Sequence, residues 1–169
     1  MNTLLFLLLL VNPNSAESEI REQFHQQRLS EQMLRAIESN PKWSINHIAS
    51  AYQGICETML ADHVFWPGQK MNYFLKGKAK IEQAILVDND NPELRYLRLL
   101  IQLNAPSILN YDDKVEEDLD FFVEHISGAN PGFEWIPIFC NTIIKSRYID
   151  EQQQRRIQNF LLTFKATFD

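Results

Sequence analysis

Turn-forming residues are scarce in this chain, with five glycines and seven prolines among 169 residues. That scarcity excludes a loop-rich scaffold and a disordered, low-complexity chain. The two cysteines, Cys56 and Cys140, are too few for a disulfide framework. Their wide spacing also excludes a zinc site built from close pairs. Both fall on apolar faces of predicted helices and read as small buried hydrophobes, with a disulfide as the alternative in an oxidising compartment. Basic clusters are missing as well. Lys76, Lys78 and Lys80 alternate with uncharged residues, Arg155-Arg156 is a lone pair, and the formal net charge is −6. Such a surface repels phosphate backbones and excludes nucleic acid as a partner. No stretch alternates apolar and polar residues as a strand does.

Catalytic signatures are absent too. There is no glycine-x-serine-x-glycine elbow and no phosphate-binding glycine loop, and Gly54, just before Cys56, lies mid-helix. His25, His47, His63 and His125 stand singly, none four residues from another, and each reads as a surface or helix-end residue.

What is present is apolar material: 45% hydrophobic and 11% aromatic residues, enough for one core and one domain. The N-terminus departs from the rest. Thr3 to Val11 is nearly pure leucine and is broken by Asn12-Pro13-Asn14-Ser15-Ala16. A bilayer span needs roughly 20 apolar residues, so this run fits the core of a secretory leader, with Ala16 as the small residue before cleavage. Residues 1–16 are therefore expected to be a signal peptide and 17–169 a single helical domain. The product is expected to be periplasmic or secreted, with no membrane span once the leader is gone.

Every periodic segment repeats at helical spacing, which predicts an all-α fold of roughly seven to eight helices. Glu17 to Leu29 is a short helix, and Ser30 caps the next, which Asn40-Pro41 ends. Ser44 is expected to cap a helix to Asp62 striped by Ile45, Ile48, Tyr52, Ile55 and Met59. Trp66-Pro67-Gly68 reads as a turn. From Met71 to Leu103 the chain forms a helical hairpin around Asp88-Asn89-Asp90-Asn91-Pro92. Phe74, Gly77, Ile81, Ala84 and Ile85 stripe its first helix, and Leu94, Leu97, Leu100 and Ile101 belong to its second. Gly77 costs a helix about 1 kcal/mol against alanine, which a close helix crossing would offset. Pro92 suits a first turn, where its missing N–H is not needed. Asp112 or Asp113 begins a helix with Val115, Leu119, Phe122 and Ile126 inward. Phe133 to Ser146 is an apolar helix whose Pro137 must sit in its first turn or kink it. Asp150 caps the last helix, striped by Ile157, Phe160, Leu161, Phe164 and Phe168.

Arg95, Arg98 and Gln102 form a polar strip on the apolar second helix of the hairpin. One reading is an anion-binding edge. The other is an internal ion pair, since Glu82 lies level with Arg98 across the hairpin. Glu82, Arg95, Arg98 and Gln102 are thus the candidate binding residues, and no catalytic set is identified. Asp112, Asp113, Glu116, Glu117, Asp118 and Asp120 form an acidic run. A rigid helix face spreads ligands too widely for calcium, so the run reads as a solvated face near a helix N-terminus, and no metal or cofactor is expected. Trp43, Trp66 and Trp135 fall at helix starts or in loops, where they seal gaps or anchor a partner.

Ala84-Ile85-Leu86-Val87-Asp88, a polar turn holding Pro92, and then Tyr96 with its leucines resemble the junction between two tetratricopeptide repeats. The likeness covers the hairpin alone. A looser one runs to small exported helical proteins of bacteria. The resemblance implies a stack of helix pairs that binds other proteins. The function expected is an exported helical scaffold that binds a protein or peptide partner without catalysis. The alternative is an enzyme with an unfamiliar site of Glu57, Glu82, Arg95 and Arg98.

Overall fold

The computed structural model describes residues 13–26, 29–125, 135–145 and 148–166. Among these, eight α-helices form: α1 (Pro13–Gln26), α2 (Glu31–Ser39), α3 (His47–Leu60), α4 (Pro67–Val87), α5 (Pro92–Asn104), α6 (Val115–His125), α7 (Trp135–Ile143) and α8 (Glu151–Ala166). Short 3-10 helices at Pro41–Ser44, Ala61–His63 and Ser107–Leu109 punctuate them, and no strand occurs among the described residues. The all-α expectation holds. The leucine-rich run from Thr3 to Val11 lies outside the described residues. So do the inward positions expected for Ile126 and Phe168, and the ends of the helix expected from Phe133 to Ser146. Within α1, Ala16 and Ile20 are fully buried.

Local chemistry sets most of the helix starts. Ser30 Oγ accepts from the Met33 amide at 3.3 Å and begins α2. Asp150 Oδ1 accepts from the Gln153 amide at 2.7 Å while Gln153 Oε1 accepts from the Asp150 amide at 3.0 Å, a reciprocal capping box that begins α8. Asn91 Oδ1 accepts from the Glu93 amide at 3.0 Å, and Pro92 takes the first turn of α5.

Three expected boundaries shift. Ser44 does not cap α3, because Pro41 winds residues 41–44 into a 3-10 helix capped by Asn40. Asn46 Oδ1 then receives the Ala49 amide at 2.8 Å. The later start turns Ile45 outward at 53% exposure, while Ile48, Tyr52 and Ile55 stay buried. Trp66-Pro67-Gly68 is no free turn: Pro67 occupies the first turn of α4, where its fixed φ suits a helix. The chain before α6 turns through Asp113-Lys114, so that helix begins at Val115.

One apolar cluster joins all eight helices. Its deepest members include Trp43, Tyr52, Ile81, Leu94, Leu97 and Leu119. Helices α3 and α4 cross where two glycines meet. A Cβ on Gly77 would lie 2.2 Å from the Gly54 carbonyl oxygen, and one on Gly54 would lie 2.7 Å from the Gly77 carbonyl oxygen. The absent side chains let the backbones touch, so close packing offsets the low helix propensity of glycine. Helix α5 is buried on nearly every side, its polar strip included.

Candidate functional site

The structure brings Glu82, Arg95 and Arg98 together, around a residue that sequence reasoning had left on a solvated face. Asp118 of α6 is 0% exposed. Arg98 donates to its Oδ2 from Nε and to its Oδ1 from Nη2, both at 2.6 Å, and Arg95 donates to Oδ1 from Nη1 at 3.0 Å. Arg98 Nη1 also donates to Glu82 Oε2 at 2.9 Å, the pairing that the register of the hairpin implies. Arg95 reaches Asn89 Oδ1 at 2.6 Å and Glu117 Oε1 at 3.2 Å. Burial pulls the Arg98 pKa down, but the hydrogen bond and charge of Asp118 carry it above its ordinary value. Burial and Glu82 together raise Tyr111, whose hydroxyl donates to Glu82 Oε1. These groups face each other, a clasp between α4, α5 and α6, with Arg95 and Arg98 each about 5% exposed.

Gln102 stands apart from that clasp. It is buried, and neither atom of its amide has a hydrogen-bond partner. Glu57 stands apart as well. Its Oε1 accepts from Lys80 Nζ at 2.9 Å, and the same ammonium donates to Gln53 Oε1 at 2.7 Å. The Glu57, Glu82, Arg95 and Arg98 group is thus divided between separate ion-pair clusters.

A further buried chain went unread in the sequence. Arg21 grips Glu93 with both ends, Nε to Oε1 at 2.6 Å and Nη2 to Oε2 at 2.7 Å. Tyr52 donates to Glu93 Oε1 at 2.7 Å, and His25 Nε2 lies 3.0 Å from the Tyr52 hydroxyl. Desolvation, and then the charge of Arg21, lower His25 to a pKa of about 4. Desolvation and Glu93 push Tyr52 well above its ordinary value. At neutral pH the imidazole and the phenol are both uncharged, so the chain is suited to holding α1, α3 and α5 together. The only hint in the sequence was Arg21 and His25 sharing a face of α1.

Other titratable groups serve the periphery. His47 lies 3.4 Å from Asp88, and His63 lies 3.7 Å from Glu31. Among the described residues no three metal-ligating side chains converge. Cys56 and Cys140 are buried and unpaired.

The larger of two neighbouring concavities among the described residues is an apolar groove of about 780 Å³. It lies between the C-terminal ends of α1, α3 and α5, the start of α4, and the 3-10 helix at Ser107–Leu109. Phe24, Ile55, Phe74, Tyr96 and Leu109 line it, and Met59 and Met71 border it with flexible thioethers. Lys70 and Asp62 supply charge among the lining residues. Ile108, also in the lining, is 89% exposed, and Phe65 on the loop before α4 is 85% exposed. Trp66 packs edge-on against Phe65 at 5.5 Å and is likewise exposed, whereas Trp43 is buried. A second cavity, of about 380 Å³, shares Leu100, Asn104, Ala105 and Pro106 with the groove as a common wall.

No protein-family model matches the chain, and no curated protein or solved structure is detectably similar to it.

Proposed function

We propose that this chain is an exported helical scaffold that binds a protein or peptide segment in the groove beside α3 and α4 and performs no chemistry. The observation that carries the reading is the groove's size together with exposed Met59, Met71 and Ile108 in its lining. Large apolar side chains left in water around a concavity mark an interaction surface. Methionines let such a surface adapt to different apolar partners. An amphipathic helix laying residues i, i+4 and i+7 into the groove is the recognition mode of matching shape. The arginine strip does not orient that partner, since Asp118 engages both guanidiniums and Glu82 takes a further edge of Arg98. The likeness of the α4–α5 hairpin to a tetratricopeptide junction supports the same class of function. Among the described residues no helix is long and apolar enough to cross a membrane.

Selection of displayed peptides against the protein tests the reading. Enriched sequences should carry apolar residues at helical spacing, and their binding should change Trp66 emission. Met59→Glu and Ile108→Glu should each weaken them about tenfold or more. A selection that enriches nothing, or peptides indifferent to both substitutions, removes the groove as the site. Cell fractionation with and without residues 1–16 tests export separately.

A further inference from the structure

The second cavity differs from the groove in its chemistry. Its floor is apolar, made by Leu100, Leu103 and Phe139, while Gln102 of α5, Asp112 before α6 and Lys145 after α7 bring polar groups from three parts of the chain. Asp112 and Lys145 are exposed, and among the described residues neither charged group has a hydrogen-bond or ion-pair partner. Gln102 is the reverse case: 3% exposed, with neither amide atom satisfied. Native proteins rarely keep a buried polar group unpaired unless a ligand or water completes it.

We propose that this cavity binds a small zwitterion, an α-amino acid with an apolar side chain. Opposite charges on one rim decide the class. Asp112 disfavours a simple anion and Lys145 disfavours a simple cation, whereas a zwitterion places its carboxylate at Lys145 and its ammonium at Asp112. The side chain of the ligand then covers Leu100, Leu103 and Phe139. Gln102 lines the cavity with its amide buried and unsatisfied, so the charged groups of the ligand are held by Lys145 and Asp112 and not by Gln102. A volume of about 380 Å³ accommodates leucine or phenylalanine and falls within the usual range of small-molecule sites. The site shares one wall with the peptide groove, but Phe139, Asp112 and Lys145 line this cavity alone.

Calorimetric titration of the full chain with L-leucine and L-phenylalanine tests it, with N-acetyl-L-leucinamide as the uncharged control. Saturable one-to-one binding of an amino acid is expected, weakened about tenfold or more in Lys145→Ala and in Asp112→Asn. The uncharged control should bind about tenfold more weakly as well. Both substituted positions are exposed, so thermal melts should show unchanged folding. Neither amino acid binding at about 10 mM, where even weak specific sites fill, overturns the proposal. An affinity unchanged in either variant, or a control that binds as tightly as leucine, overturns it too.

Discussion

Gly68 and Gly77 belong to the same helix, yet alanine should act on them with opposite sign. A Cβ on Gly68 meets nothing within 4 Å, so Gly68→Ala should raise stability by about 0.5–1 kcal/mol through helix propensity and a less free unfolded chain. At Gly77 the new carbon would sit 2.2 Å from a backbone oxygen and 2.5 Å from Thr58 Cγ2. Gly77→Ala should therefore destabilise by about 2 kcal/mol or more, in the range of overpacked cores. Urea denaturation of the pair checks both signs. His25 gives a residue-scale pH prediction. Its folded pKa of about 4 lies below the ordinary histidine value of 6.5. Between those values the unfolded chain holds the extra proton, so this contribution is complete above pH 6.5 and is lost as pH falls towards 4. The slope should not exceed about 1.4 kcal/mol per pH unit, and partial solvent access around the ring reduces it. A proton NMR titration of His25 should show the low midpoint, and His25→Phe should flatten stability over that window.

At the scale of elements, the sequence was readable wherever one period settled the outcome. The α4–α5 hairpin emerged from spacing alone, with Phe74, Ile81, Ala84, Leu94 and Leu97 buried as their stripes require. The Glu82–Arg98 contact followed by counting outward from the turn. The start of α3 did not follow, because Ser44 and Asn46 are both good caps two residues apart, and only the 3-10 turn after Pro41 chooses between them. Asn46→Ala should cost about 1 kcal/mol and Ser44→Ala markedly less, a contrast that thermal melts can measure. Asp118 was hidden by its neighbours, since one buried carboxylate inside an acidic run has no local signal. What singles it out is the approach of α5 carrying Arg95 and Arg98. Asp118→Ala leaves those guanidiniums without their shared partner and should cost about 3–5 kcal/mol in urea unfolding. The groove had no sequence signal either. Ile55, Met59, Met71 and Ile108 come from separate elements, and only their docking makes a concavity.

For the whole molecule, the two thiols report on global opening. Burial pushes Cys56 and Cys140 up to about 12, so the nucleophilic thiolate is scarce and shielded in the folded state. A thiol reagent at pH 8 should modify the native protein at a rate that tracks unfolding, and should react rapidly in denaturant. Labelling much faster than unfolding would reveal local opening near α3 or α7.

The backbone contact between Gly54 and Gly77 also decides which parts of the groove can diversify. One bank is built on the α3–α4 crossing, where neither rod can shift without collision. The other is the short stretch from Ala105 to Leu109, closed by Asn110 with its left-handed φ of 44°. For the peptide ligand proposed above, altered preference should therefore come from exchange and insertion along 105–110, while substitutions at 54–58 should disturb the crossing first.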